Sequence, residues 1–558
     1  MAADCQVRGV LKSKRLFFSD TDSVIIPLLH KNEKDMKRVL CLLLVAAAVS
    51  CSENVLELTH MKQVDVDGVE LAHEMIVLGK QLDDPYTVDN MTKALKSLYP
   101  TKAGELKIAP TDLYVRFLPE NQEQYETLVA CCPDMLDHPV DYQILREGDY
   151  YMDPELPEGS LTWQYAVIEK DFVFPAGIKY EVLDECYIAE HDVVTRAGDN
   201  FIDWGEVERE AFRLTGNENM LAPKTKGSPF PSGRITVLDD KYDSEPVGVE
   251  GVTVSCNVFV KFAHAYTDEE GYYRMEKSFT NEPRYRLLFK NVKGFGIGMN
   301  LILVPASFST LGKGAPEGVS CQIDKYSDRA LFSRSVVNNA VYDYIGSCDD
   351  GKSSMNLPPD NLRIWLFQSL ESSSAVMMQQ GTIVDGSILQ KYLGEYFPLV
   401  KMFLPDITLG LKGAEDYADI YGRAIHELAH TSHYMAVGNE YWNKLIKYIL
   451  FSYVTSGWIT YGVGTEEDHG YCEVAEMWAY YMQTKVYRDR YPAEARSFGN
   501  SFWFKPQIFT YLDERGVNRY KLFSALAPDV VDADMLEARL TSLYPECKTI
   551  IKQAFERY

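Results

Sequence analysis

A short segment of the chain concentrates residues that bind metals. Residues 421–438 read YGRAIHELAHTSHYMAVG and contain three of the chain's ten histidines, His426, His430 and His433. Side chains four residues apart lie on one face of an α-helix, so His426 and His430 can present two imidazole nitrogens to one ion. Glu427 lies about 100° around the helix and can accept a proton from a water molecule on that ion. The spacing predicts a helical metal site with a carboxylate base beside it.

A third ligand must come from elsewhere in the chain. One zinc motif continues with a glycine and a third histidine, but His433 and Ala436 occupy those positions here, which excludes that motif. The segment GYCEVAEMWAYYM offers Glu476, which follows His430 by 46 residues, and Glu473, one turn earlier on the same face. Either glutamate can serve as the ligand, and Glu473 can also orient a histidine instead. His433 lies off the ligand face and is interpreted as a supporting or surface residue.

The second segment carries a recognisable pattern. With its HExxH pair and distal glutamate, the chain resembles the gluzincin clan of zinc metallopeptidases, several of which carry the third ligand in an E-x-aromatic-A run. Glu476, Trp478 and Ala479 match this run, and the match favours Glu476 over Glu473. The resemblance implies a Zn²⁺ cofactor held by the two helical histidines and Glu476, with Glu427 as the general base in peptide-bond hydrolysis.

A peptidase also needs a hydrogen-bond donor for the developing oxyanion. Tyr461, in the segment WITYGVG, is the favoured candidate, and Tyr471 is the alternative. Two histidines and one glutamate leave a coordination position open, whereas structural zinc sites are closed and rich in cysteine. Because Glu427 is present as well, the residues favour a catalytic site over a structural zinc site or a degenerate scaffold.

Residues 36–50, MKRVLCLLLVAAAVS, have the organisation of an export signal. Their apolar run of eleven residues, 39–49, is too short to span a bilayer but has the length of a signal core. The small residues before Cys51 resemble a bacterial lipoprotein signal, which implies lipidation of Cys51; a plain secretory signal is the alternative. Met36 is expected to be the natural start, with residues 1–35 an upstream extension. The chain is predicted to be an exported lipoprotein of the bacterial envelope, in the outer membrane or at the cell surface.

The rest of the chain is predicted to be multidomain. Residues 51–109 read as a tether with short helices, and residues 110–221 as a small α+β domain. Short alternating strands in residues 228–295 predict a β-sandwich. There GRITVLD, GVEGVTV and AYTDEEGYYRM resemble the carboxypeptidase regulatory-like domain, which implies an Ig-like module. Residues 296–558 are predicted to form a mainly helical α+β domain of zincin type.

Secondary structure is predicted for two further segments of the zincin-type domain. The segment GSILQKYLGEYFPLVKMFL, residues 386–404, has a helical pattern. The segment DITLGLKG, residues 406–413, is predicted to be a strand. It is expected to be an edge strand that binds extended substrate backbone through main-chain hydrogen bonds.

The amino-acid composition limits the classes of molecule that the protein is expected to bind. Acidic residues outnumber basic residues, 81 against 56, which gives a net charge of −25 and disfavours nucleic-acid binding. The eleven cysteines contain no CxxC pair, so neither a zinc ribbon nor a disulfide framework is predicted. The expected partners are a protein, glycoprotein or peptide substrate and, through Cys51, a membrane. Two alternatives remain: a surface lipoprotein that binds ligands on an inactive zincin scaffold, and a metal-dependent hydrolase of a non-peptide bond.

Overall fold

The computed structural model describes residues 75–101, 107–148, 151–156, 161–189, 202–223, 230–241, 246–298, 308–326, 328–368, 371–382, 405–455 and 459–558. Several predictions therefore lie outside the described residues: the upstream extension 1–35, the signal 36–50, the lipidation site Cys51 and the helix at 386–404. Within the described ranges the protein is a multidomain mixed α/β structure, with several antiparallel sheets and a helical C-terminal region.

The first unit combines two small sheets with three helices. Its elements are, in chain order, β1 (Val77–Gln81), α1 (Val88–Leu98), β2 (Asp112–Leu118), α2 (Gln122–Cys131), β3 (Tyr142–Arg146), β4 (Gln164–Glu169), β5 (Lys179–Cys186) and α3 (Trp204–Leu214). β2 is the centre of an antiparallel sheet of order β4-β2-β5, and β1 pairs with β3. Alternate residues of β2, Val115 and Phe117, enter the core beside Leu128 of α2. This unit is therefore a mixed α/β structure.

The second unit consists of two four-stranded sheets. Its strands are β6 (Ser232–Val237), β7 (Val247–Gly248), β8 (Thr253–Val258), β9 (Lys261–Tyr266), β10 (Tyr272–Arg274), β11 (Arg284–Leu288), β13 (Phe308–Lys313) and β14 (Cys321–Ile323). One sheet has the order β10-β6-β14, with β7 also on β6, and the other has the order β13-β11-β8-β9. Ile235 and Val237 of the first sheet and Val254 and Leu287 of the second share one buried cluster. The strands predicted within residues 228–295 are confirmed, β13 and β14 of the same sheets lie beyond residue 295, and the Ig-like assignment stays a prediction.

The C-terminal region packs helices around a small parallel sheet. The sheet has the order β12-β15-β16, from β12 (Gly296–Ile297), β15 (Arg363–Phe367) and β16 (Ile407–Gly410). The helices are α4 (Arg329–Ser347), α5 (Tyr417–Thr455), α6 (His469–Arg490), α7 (Gln507–Asp513), α8 (Arg519–Phe523), α9 (Ala533–Leu543) and α10 (Lys548–Arg557). The strand predicted within 406–413 and the helix predicted around His426 and His430 are confirmed.

Helices α5 and α6 lie against each other and carry the residues of interest. α5 bends at Gly438, whose φ of 77° is accessible to glycine because it has no Cβ. Trp478 of α6 donates from Nε1 to the carbonyl oxygen of Ala429 on α5, over 3.2 Å. Trp442 of α5 donates to the carbonyl oxygen of Ala375, over 2.8 Å. The Trp478 indole therefore holds α6 against α5, and the Trp442 indole holds α5 against the segment that contains Ala375.

No helix in the described ranges combines the length and the apolar character that crossing a membrane requires.

Candidate metal centre

Helix α5 places the two motif histidines on one face. Near its start, the Asp416 side chain accepts a hydrogen bond from the backbone N–H of Asp419, over 2.8 Å, which satisfies one of the unpaired first-turn donors. Two turns later His426 and His430 lie one above the other, with ring centroids 4.9 Å apart and ring planes at 84°. Both side chains are buried. The predicted shared face is therefore present.

Helix α6 brings Glu476 against both imidazoles. Its Oε2 lies 3.4 Å from Nε2 of His426, and its Oε1 lies 3.3 Å from Nε2 of His430. One potential ligand atom from each of the three residues lies within 4.8 Å of the other two, and all three residues are buried. The structure thus brings together the three residues predicted as ligands, and this group could hold a metal ion.

The rival glutamate has a different partner. Glu473 Oε2 accepts a hydrogen bond from the backbone N–H of Ala533, over 3.0 Å, at the start of α9. A carboxylate is favourable there because the first N–H groups of a helix have no partner within the helix. Glu473 therefore supports the docking of α9 on α6, and Glu476 is the glutamate at the histidine pair.

A hydrogen bond to Gln483 sets the tautomer of His426, and the tautomer decides which ring nitrogen presents a lone pair to Glu476. Nδ1 of His426 lies 3.2 Å from the amide oxygen of Gln483. An amide oxygen can only accept, so Nδ1 carries a proton, and whenever the ring is neutral Nε2 is left as an acceptor. Nε2 then faces a carboxylate oxygen of Glu476, and two acceptors point at each other. A cation between them satisfies both, so the donor set fits a metal ion.

The carboxylate is ionised at neutral pH. Burial raises the pKa of Glu476, but the two neighbouring histidines more than offset this effect and lower the pKa to about 2. Metal binding requires a deprotonated carboxylate. Glu476 therefore meets this requirement over the physiological pH range.

His433 is buried among aromatic rings. It is 0% exposed, and its ring lies 5.4 Å from that of Tyr441 and 5.6 Å from that of Trp442. Neither ring nitrogen has a hydrogen-bond partner among the described residues. Burial, aided by His430, lowers the pKa of His433 to about 3, so the ring is neutral. Of the two interpretations of His433, the surface position is wrong, and burial against Tyr441 and Trp442 agrees with a supporting residue.

A cleft of about 280 Å³ opens beside the histidine pair. This volume lies just below the usual range for ligand sites, about 300–1,000 Å³. His426 and Glu427 lie in its wall, together with Gly422 one turn earlier and Arg423. Arg423 donates from Nη1 to the carbonyl oxygen of Gly410, over 2.7 Å, and so fixes the helix against β16. The motif carboxylate thus borders a space that can receive a ligand.

Tyr480 lines this cleft, although the sequence analysis did not select it. Its ring centroid lies 4.3 Å from that of His426. Tyr480 follows Glu476 by one helical turn, and that i, i+4 spacing is the signal that could have identified it. Tyr461, the predicted oxyanion donor, is fully buried and its hydroxyl lies 3.2 Å from the Tyr480 hydroxyl. Tyr461 is therefore one hydrogen bond behind the cleft, and its catalytic role stays a prediction.

The alternative tyrosine has other contacts. The Tyr471 hydroxyl accepts a hydrogen bond from Lys444 Nζ, over 3.0 Å, and its ring lies 4.7 Å from that of Tyr441. Tyr471 is not among the described residues that line the cleft, whereas Tyr480 is.

The strand β16 is not an open edge, contrary to expectation. Its outer side is paired at Thr408 with Ser374, through N–H to O=C hydrogen bonds of 2.8 and 2.9 Å. On the other side, β16 pairs with β15 in parallel. A substrate backbone cannot add to β16 at Thr408, because both of its main-chain groups are already bonded.

Comparisons of the chain with protein-family models, curated proteins and solved structures give no match.

Proposed function

We propose that the protein is a zinc-dependent metallopeptidase that hydrolyses peptide bonds in protein or glycoprotein substrates. The observation that carries this proposal is the meeting of His426, His430 and Glu476 in one buried group, with Glu427 beside it in the wall of a cleft. Two imidazoles and one carboxylate are a ligand set typical of catalytic zinc, and they leave a coordination position open. A substrate in the cleft would lie beside His426 and Glu427.

Glu427 is the proposed general base. It follows His426 directly on α5, so it lies next to the ligand face and reaches the same cleft. When bound, zinc supplies Lewis acidity towards the substrate carbonyl and towards water. Glu427 takes the proton from the attacking water and then passes it to the leaving amine.

Tyr480 is the proposed donor for the developing oxyanion. Its ring lies beside His426, and its hydroxyl is hydrogen-bonded to that of Tyr461, which is fully buried. A donor whose position is set before the reaction costs little reorganisation when charge develops. In this arrangement Tyr461 orients the Tyr480 hydroxyl, so both tyrosines contribute, one directly and one through its neighbour.

The decisive experiment replaces Glu427 with Gln in the full chain. Zinc content by mass spectrometry is expected to equal that of the wild type, because the three ligands are intact. Cleavage of casein and of a peptide library is expected to fall by roughly 10²- to 10⁴-fold, the usual contribution of a general base. Glu440→Gln, an exposed glutamate on the same helix, is the matched control.

The outcomes separate the alternatives. Cleavage at the wild-type rate in Glu427→Gln would contradict the proposed mechanism. Stoichiometric zinc with no cleavage in the wild type would instead favour a binding protein or a hydrolase of non-peptide bonds.

We also propose that the protein is exported and anchored in the bacterial envelope through Cys51. The support is the charged, apolar and small-residue order of residues 36–50 directly before that cysteine. The wild-type chain is expected to enter the detergent phase of a Triton X-114 partition, and Cys51→Ala is expected to stay in the aqueous phase. Equal partition of the two proteins would exclude a lipid anchor at this residue.

A further inference from the structure

A second cavity, of about 60 Å³, lies between the first two units of the fold, far in sequence from the metal centre. One wall comes from Leu82 and residues 138–144 of the first unit, and the other comes from residues 257–259 and β11 of the second unit. A single water needs about 10–15 Å³ of such space. The cavity therefore has room for a small polyatomic ligand.

The polar end of this cavity is positively charged. Arg284 and Arg286 both line it, and residues two apart on a strand share one face. Lys313 of β13 is paired with Arg284 in the sheet register and lines the same cavity. Among the described lining residues, Glu282 is the one carboxylate. Three cations and one anion converge here in a chain whose net charge is −25.

Arg286 carries a buried charge that no described carboxylate neutralises at close range. Its side chain is 3% exposed, and its Nη1 donates to the amide oxygen of Asn257 over 2.6 Å. No carboxylate oxygen of the described residues lies within ion-pair distance of Arg286. Burial, followed by the like charge of Arg284, lowers the pKa of Arg286 to about 10. A buried cation without a close counter-charge is costly to maintain.

The two acids whose charge acts on Arg286, Asp134 and Asp137, already have other partners. Asp134 accepts from the Ser255 hydroxyl over 3.2 Å and lies 2.8 Å from Nδ1 of His264. Asp137 lies 2.7 Å from Nδ1 of His138. Neither acid is therefore available to move onto the Arg286 guanidinium without breaking these contacts.

Arg284 has a counter-charge that a ligand can replace. It pairs with Glu147 of the first unit, whose side chain is 46% exposed. A guanidinium presents parallel N–H groups that match two oxygens of a carboxylate or a phosphate. An anion with two or three oxygens can therefore contact both arginines and displace an exposed glutamate.

We propose that this cavity is a binding site for a small oxyanion, of the carboxylate or phosphate type, held between Arg284 and Arg286. The site does not depend on the metal centre or on the proposed peptidase activity. The neutral Asn257 amide orients one guanidinium, and Lys313 adds positive charge at the exposed end.

Calorimetric titration of the full chain tests the site, with inorganic phosphate and acetate as separate probes at constant ionic strength. Arg286 is buried, and its replacement risks unfolding, so Arg284→Gln is the informative variant. It is expected to bind the preferred anion at least tenfold more weakly than the wild type. Glu147→Gln, which removes the competing carboxylate, is expected to bind more tightly. Arg274→Gln, an exposed arginine of the same unit, is the control and is expected to bind like the wild type.

Each outcome decides for or against the site. Saturable binding that Arg284→Gln weakens supports it, and the stronger of the two probes identifies the ligand class. Phosphate bound at the metal centre would be equal in all variants, so binding that Arg284→Gln leaves unchanged overturns the proposal. The absence of saturable binding for both anions in the wild type overturns it as well.

Discussion

The replacement of Glu476 by Gln, compared with the same change at Glu473, tests the centre most directly. Gln has the shape of Glu but no charge, so packing is preserved while the ligand is lost. Glu476 lies 3.3 and 3.4 Å from the two imidazoles, whereas Glu473 contacts the backbone of Ala533. The two glutamates are one turn apart on α6, so each variant controls for effects on that helix.

The expected magnitude follows from burial and charge. Glu476 is 1% exposed, and removing one member of a buried charged group costs about 3–5 kcal/mol. At about 1.4 kcal/mol per factor of ten, the zinc affinity of Glu476→Gln should fall by roughly 10²- to 10⁴-fold. Glu473→Gln should change it less than about threefold, because the residue contacts neither histidine.

Competition titration against a chromogenic chelator measures these affinities, and zinc content after dialysis provides an independent check. Circular dichroism establishes that both variants are folded. If Glu476→Gln keeps wild-type affinity, or if Glu473→Gln loses the metal instead, the ligand assignment is wrong.

Two further predictions concern other parts of the structure. Gly499 has a φ of 72°, and a Cβ there would lie 2.4 Å from Cγ of Tyr480. Gly499→Ala should therefore displace this tyrosine, destabilise the fold by about 1–3 kcal/mol in urea unfolding and reduce cleavage in a peptidase assay. An unchanged stability together with an unchanged cleavage rate would contradict the contact. The hydrogen bond to Asp134 raises the pKa of His264 above its usual 6.5, against burial and Lys277 and with the help of Glu276. The stabilisation is therefore complete below about pH 6.5 and is lost as the pH rises through the higher folded-state pKa. The difference in Tm between wild type and His264→Gln should shrink as the pH rises above about 6.5, and a difference that does not change with pH would refute this.

Helical periodicity alone determined the first half of the metal centre. Four-residue spacing puts His426 and His430 on one face of any α-helix, whatever the rest of the chain does. Local alternation and turn residues likewise predicted most strands of the second unit, because strand faces repeat every two residues. These features depend on residues that are close in the sequence, so they can be predicted without knowledge of tertiary contacts.

The carboxylate of the metal centre depended on how elements distant in the sequence pack together. Glu473 and Glu476 lie on adjoining turns of one helix, and the position of α6 against α5, fixed partly by the Trp478 indole, decides which one meets the histidines. Thr408 of β16 pairs with Ser374, which lies 34 positions earlier in the sequence. Local sequence does not reveal such a partner, so the predicted open edge was wrong.

The residues around the centre show the same division. Tyr461 was selected for its place in a loop, but the fold puts Tyr480 in the cleft and Tyr461 behind it. The cavity with Arg284 and Arg286 has walls from two units, and no local pattern predicts it. The sequence by itself determined which residue types share a helix or strand face, because that follows from the backbone repeat. Only the tertiary structure decided which faces meet, because that depends on packing between segments far apart in the chain.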